Sequence, residues 1–187
     1  MRFPRATHLV CTFQYKDDAE RFHLALIKRL AKFNLEIAED KTKIFMFGRF
    51  AEQWLKGKGK PQTFDFLGFT HYCGRSQNGR FRVKRKTSRK KYKQKVKGFQ
   101  EWVKVVRNEK MNEIIKTVRA KLRGHYRYYG ITDNRDMIRK FSHTVTKLLF
   151  KWLNRRSQRK SFTFEKFQLF LKKHQLPNPK IYVNIYG

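Results

Sequence analysis

The chain has 187 residues, 46 of them Lys or Arg and 14 Asp or Glu, for a formal net charge of +32. Its hydrophobic share of 40%, with 18 Phe, is enough to pack a core, so a wholly disordered basic tail is excluded. No apolar run approaches the ~20 residues of a bilayer span and Met1–Arg5 has no signal-peptide core, which sets membrane-spanning and secreted classes aside.

The charge is uneven along the chain. Residues 1–65 hold 13 basic and 8 acidic side chains, a net of +5, and residues 66–187 hold 33 and 6, a net of +27. Between them Gly57-Lys58-Gly59-Lys60-Pro61 reads as a loop. In the first part, Leu9–Phe13 is rich in β-formers and predicts a strand. Asp17 or Asp18 can cap a helix over about 19–33, with Phe22, Leu26, Leu30 and Phe33 on one stripe. Lys43–Phe47 predicts another strand, closed by Gly48. Thr63–Phe69 alternates and predicts a third. Asn78-Gly79 then supplies a turn before Arg80–Lys84, a hairpin signal.

The remainder predicts helices. Residues 88–107 carry Tyr92, Val96, Phe99, Val103 and Val106 at helical spacing. Residues 111–128 carry Ile114, Ile115, Val118, Leu122 and Tyr126, and Gly130 ends that helix. Thr132 or Asp133 can cap a third, over 134–156, with Met137, Phe141, Val145, Leu148, Leu149 and Trp152 as its stripe. A shorter helix over 164–174 stops before Pro177. Amphipathic helices joined by short loops predict a small bundle.

Two segments carry binding chemistry. Arg80 to Lys97 has 11 basic residues in 18 and no acid, interleaved with Phe81, Val83, Tyr92 and Val96, so it can be ordered rather than tail-like. A run of this kind binds phosphates, or else forms a solvated face. From it Arg80, Arg82, Lys84, Arg85, Lys86, Arg89, Lys90 and Lys91 are candidate phosphate contacts. The second segment, Leu122-Arg123-Gly124-His125-Tyr126-Arg127-Tyr128-Tyr129-Gly130, alternates rings with cations beside a small residue. Rings stack on unpaired bases while Arg binds phosphate, which suits RNA. Arg123, His125, Arg127 and Tyr128 are the candidates there, whereas Tyr126 and Tyr129 fit equally well as core residues.

No catalytic or metal-binding constellation is visible. Cys11 and Cys73 make neither a disulfide framework nor a metal site, which fits a reducing, cytoplasmic compartment. The six His are scattered without a partner at ligand spacing, and Asp17-Asp18 and Glu39-Asp40 read as capping and turn residues. From the residues alone this is a binder that uses no cofactor, not an enzyme.

With those residues in view, the chain resembles the C-terminal part of bacterial group II intron-encoded reverse transcriptase/maturase proteins, from about Val10 to Tyr186. Leu9–Phe13 and the helix after it resemble the end of the palm's catalytic hairpin. Asn34-Leu35-Glu36 through Lys41-Thr42-Lys43 and Phe47-Gly48 resemble the next palm segment, and Phe64–Phe69 the primer-grip strand. Leu122–Gly130 is similar to the signature of the maturase domain, also called domain X or the thumb. Pro177–Tyr186 matches how many of these proteins leave the thumb. The family carries Tyr-Ala-Asp-Asp just before the segment aligned with Leu9-Val10, where this chain reads Arg5-Ala6-Thr7-His8. A hydroxyl and an imidazole cannot replace the hard oxygen ligands of two Mg²⁺ ions.

The resemblance implies an α+β fold, a partial palm with a small antiparallel sheet and one helix followed by a basic three- to four-helix thumb bundle. Residues 1–86 would be the palm remnant and 87–187 the thumb/maturase domain, with fingers expected upstream of Met1 and a zinc-bearing endonuclease domain beyond Gly187, neither in this chain. It implies binding of group II intron RNA and assistance to its splicing, without polymerase chemistry. Alternatives are the C-terminal half of a split RNA-directed DNA polymerase, completed by an upstream polypeptide, and a non-specific basic nucleic-acid binder. DNA and a second copy of the chain are further partner expectations; a membrane is not.

Overall fold

The computed structural model describes residues 9–55, 59–156 and 163–186; Thr7, His8 and the first part of the Gly57–Pro61 loop lie outside the described residues. Among these, six helices and one three-stranded antiparallel sheet make an α+β fold, as expected. The elements are α1 Lys16–Ala31, α2 Ala51–Trp54, β1 Phe64–Phe66, β2 Phe69–Arg75, β3 Phe81–Thr87, α3 Arg89–Val106, α4 Met111–Tyr129, α5 Arg135–Leu153 and α6 Phe164–Lys173. None of the helices is long and apolar enough to cross a membrane. Two compact units result: one takes the described residues up to Leu67 together with His71–Val83, and the other takes Gly68–Thr70 and everything from Lys84 onward.

In the first unit, α1 starts three residues earlier than its periodicity suggests. Tyr15 is its N-cap, with no side-chain cap bond. Asp17 and Asp18 therefore act from within the first turn, opposite Lys28 and Arg29 in the last, a distribution that complements the helix dipole. Asn34 closes the helix in the left-handed region (φ +55°), with Leu35 N–H on the Leu30 carbonyl and Asn34 N–H on that of Ala31, both 3.1 Å. No residue of α1 is buried, and Phe22 and Phe33 of its expected stripe are exposed.

The expected strands at Leu9–Phe13 and Lys43–Phe47 do not form. A strand exists only where its backbone meets a neighbouring ladder, and β-propensity alone cannot supply one. These segments contribute rings instead. Phe13 rests on Phe22 with centroids 5.1 Å apart, and Phe45 and Phe47 flank Phe64, which stacks on His71 at 4.8 Å. Glu39–Lys41 forms a 3₁₀ turn, as its acid pair suggests.

Thr63–Phe69 is not one strand but a hairpin. Leu67 (φ +47°) and Gly68 (φ +81°) form the two-residue turn between β1 and β2. Two successive positive φ values match the right-handed twist of the paired strands. Leu hides the signal because it is no usual turn residue, and Gly68 was the only clue. The Asn78-Gly79 turn forms as expected: Gly79 has φ +72°, and Ser76 N–H reaches the Arg80 carbonyl at 2.7 Å. The sheet order is β1-β2-β3.

The second unit is a helical bundle in which α3 and α4 both pack on α5. Ser88 caps α3 by accepting from Lys91 N–H at 3.3 Å, and Thr163 caps α6 from Lys166 N–H at the same distance. The α4 stripe is buried as its spacing predicts, meeting Phe99 and Val103 of α3 and Phe141, Val145 and Leu149 of α5. Each such aliphatic or aromatic side chain contributes about 1.5–3 kcal/mol on leaving water. On α5 the core position falls to Ile138, with Met137 only half-buried. Thr132 and Asp133 do not cap α5; they lie in a 3₁₀ turn, and the N-cap is Asn134.

Candidate nucleic-acid interface

Three short segments meet at one end of the second unit: the end of β3, the end of α4 and the start of α5. Asn134 joins them. Its Oδ1 accepts from the Thr87 N–H at 2.7 Å, while its Nδ2 donates to Thr87 Oγ1 and to the Tyr129 carbonyl, both at 2.8 Å. It is completely buried, and every bond it makes replaces one lost to water. Thr87 precedes the Ser88 cap, so this junction sets where α3 begins.

From that point α3 presents its cations. Arg89, Lys90 and Lys91 occupy its first turn without any acid. Together with Lys93 and Lys95 they are exposed, and none has a carboxylate at ion-pair distance among the described residues. Three cations at the positive end of a helix dipole cost a few tenths of a kcal/mol each, and an anion at that end relieves them. Lys97 meets Glu101 at 3.8 Å in a solvent-exposed pair of little energetic weight. Before the helix, Lys84 and Arg85 are half-buried and Lys86 is exposed. Arg80 and Arg82 are exposed and belong to the first unit.

On α4 the segment Leu122–Gly130 divides by helical period. Leu122, His125, Tyr126 and Tyr129 turn inward, while Arg123, Gly124, Arg127 and Tyr128 turn outward. His125 was expected as a surface contact and is not one. It is only 7% exposed, with its ring stacked on Phe141 at 3.7 Å and tilted against Tyr129 at 4.7 Å. Neither ring nitrogen has a hydrogen-bond partner among the described residues. Burial, aided by the charge of Lys95, lowers its pKa to about 4, so it is a neutral core ring at neutral pH. Tyr126 and Tyr129 are core residues as well. Burial pushes both hydroxyls up, partly offset for Tyr126 by Ser142 and reinforced for Tyr129 by Tyr128.

That leaves Tyr128, 55% exposed, as the one ring this segment offers to solvent. Phe69 supports it from behind, with the two planes 12° apart and centroids at 6.0 Å. Beside them Gly68 makes its closest approach: a Cβ there would stand 3.0 Å from the Tyr129 hydroxyl and 3.6 Å from the Lys91 stem. The first turn of α3 and the end of α4 thus meet around Gly68-Phe69. Lys91 and Tyr128 come from the two separate sequence patches and fall on this shared corner. Gly68, Phe69, Thr87 and Asn134 build the corner, and sequence reasoning did not single them out as site residues. Only the Gly in a β-rich run carried any signal.

No group of His, Cys, Asp or Glu among the described residues is arranged to hold a metal ion. The geometry is that of a basic helical domain with an acid-free helix start beside an exposed ring. Residues 89–170 match the family model of the group II intron, maturase-specific domain. That match supports a role related to group II intron maturases. Such a domain is not the catalytic polymerase domain of these proteins. No curated protein and no solved structure matches the chain.

Proposed function

We propose that this chain is an RNA-binding maturase-type protein that grips group II intron RNA in the cytoplasm and assists its splicing without doing chemistry itself. The observation that carries this reading is the acid-free first turn of α3, Arg89-Lys90-Lys91, set beside the exposed ring of Tyr128 within the matched domain. Lys84, Arg85, Lys86, Arg89, Lys90 and Lys91 contact phosphates, as do Arg123 and Arg127 on α4. Tyr128 stacks on an unpaired base. Arg80 and Arg82 supply further phosphate contacts from the first unit. Residues 1–86 as a palm remnant and 87–187 as the thumb belong to the same reading.

The test is filter binding of the full chain to group II intron RNA, a size-matched unrelated RNA and duplex DNA over a range of salt. Preference for intron RNA that persists at high salt is expected. Changing Arg85, Lys86, Arg89 and Lys90 together to Gln should flatten the log–log salt slope by roughly 3, since four phosphate contacts are lost. An unchanged slope removes this patch from the interface. Equal binding to all three ligands, collapsing together with salt, marks a generic polycation.

One observation favours a second reading, in which the chain completes a split RNA-directed DNA polymerase. The first unit leaves Leu24, Phe33, Phe50 and Trp54 each more than half exposed, an apolar surface that suits a polypeptide partner. Sedimentation of the chain alone and with a separately expressed fingers-and-palm polypeptide distinguishes a complex of the two from a self-dimer.

A further inference from the structure

We propose a second phosphodiester-binding site in the same unit, in the cleft between the start of α5 and the segment Pro177–Tyr186. The inference rests on the RNA-binding reading and extends it to residues outside both basic patches. The cleft has a volume of about 390 Å³ and is lined by Arg135, Arg139, Pro179, Lys180 and Ile181. Arg135 and Arg139 stand one helical turn apart on the same face of α5. Neither they nor Lys180 have a carboxylate at ion-pair distance among the described residues.

The wall opposite α5 is held in place rather than loosely draped. Tyr182 and Val183 both donate their N–H to the Gly130 carbonyl, at 2.7 and 3.1 Å, and Val183 bridges Ile131 in parallel. Thr132 Oγ1 donates toward Asn184 Oδ1 at 3.0 Å and accepts from Ile185 N–H at 3.2 Å. Asp133, an acid close by, is engaged by the Tyr186 hydroxyl. The Lys180 ammonium lies over the Tyr182 ring, 5.8 Å from its centroid.

Three like charges are therefore gathered at a fixed concavity with no counter-charge lining it. Like-charged side chains at i,i+4 repel each other, and an anion between them reverses the sign of that term. Two guanidinium forks and an ammonium match the oxygens of a phosphodiester, which accept but do not donate. Pro179 and Ile181 add apolar surface to the lining, which suits a sugar. The ligand class is a nucleic-acid backbone phosphate, and within the reading above that backbone is RNA.

The test compares three full-length variants in the salt-titrated binding assay with group II intron RNA. The cleft variant is Arg135→Gln/Arg139→Gln/Lys180→Gln, all at exposed positions. A control, Lys28→Gln/Lys32→Gln/Lys41→Gln, removes the same charge from exposed positions of the first unit. The third is the Gln variant of Arg85, Lys86, Arg89 and Lys90. The cleft variant should lower the salt slope by roughly 2 and the affinity about tenfold or more, while the control leaves the slope in place. Arg135→Lys/Arg139→Lys should retain the slope. If cleft and control variants behave alike while the α3 variant loses slope, the cleft is overturned and the RNA reading stands. If the wild-type chain shows no RNA binding at all, both fail together. Titrating the Arg135 and Arg139 Nε–H resonances with inorganic phosphate separates the ligand sources: a response to phosphate without loss of RNA slope assigns the cleft to free phosphate and overturns the proposal.

Discussion

Asn134 and Thr87, 47 residues apart, exchange two hydrogen bonds in the fully buried junction: the Thr87 N–H donates to Asn134 Oδ1 at 2.7 Å, and Asn134 Nδ2 donates to Thr87 Oγ1 at 2.8 Å. No apolar side chain can take this place. Asn134→Ala strands the Thr87 N–H and leaves Thr87 Oγ1 without its donor, while the Tyr129 carbonyl keeps the Ile131 N–H at 2.9 Å. With two buried groups left unpaired, the expected loss is about 2–4 kcal/mol, read as a lower urea midpoint. Asn134→Asp keeps the acceptor but loses the donor and buries a charge, so it should be no milder.

Gly130 is required by space, not by backbone angle. Its φ of −79° is open to any residue, yet a Cβ would run into the Tyr126 carbonyl and stand 2.6 Å from that of Lys180. Both obstacles are main chain and cannot swing aside. Gly130→Ala should destabilise the second unit by about 1–3 kcal/mol, with earlier exchange of the Tyr182 and Val183 amides in hydrogen-exchange experiments.

Stability should fall on mild acidification because of His125. Its pKa is about 4 when folded and near 6.5 when unfolded. Above pH 6.5 the ring is neutral in both states and contributes nothing to pH dependence. Between 6.5 and 4 the unfolded chain takes up a proton that the folded chain refuses, so stability declines as pH drops and levels off below 4. A difference of that size is worth roughly 3 kcal/mol across the window. Urea midpoints between pH 4 and 7 should show this slope, and His125→Phe, which keeps a ring against Phe141, should flatten it.

Tyr128 separates binding from stability. Being 55% exposed, Tyr128→Ala should barely move the thermal midpoint while weakening affinity for single-stranded RNA by about 1–3 kcal/mol, the usual cost of losing one base stack. Tyr128→Phe should retain most of the affinity. Equal affinity for all three proteins would remove this ring from the interface.

The helices of the second unit were legible because they bury one stripe against neighbours present in the same chain. The 3.6-residue period over Ile114–Tyr126 and Phe141–Trp152 located both α4 and most of the α5 core. That period also held the answer for His125, which shares the inward face with Leu122, Tyr126 and Tyr129; its polarity argued the other way. Leu9–Phe13 and Lys43–Phe47 were misread because strand formation depends on pairing, and no local pattern reveals whether a ladder is available. The corner at Gly68-Phe69 was invisible for a similar reason: it joins β2 to residues some 60 positions later, and an Asn locks the arrangement from a third element. The outward cations needed no such context, since charge density is additive along a chain.

Gly124 sits on the outward face of α4 with nothing within 4 Å of where its Cβ would be. A helix interior prefers Ala there by about 1 kcal/mol, so the bare position is held at a thermodynamic disadvantage. What it leaves is a notch one side chain deep in a face otherwise bearing Arg123, Arg127 and Tyr128. Charge recognises any polyanion, but a notch recognises a contour. Gly124→Ala should therefore yield a sturdier protein that discriminates less between one folded RNA and another, separating shape selectivity from electrostatic grip.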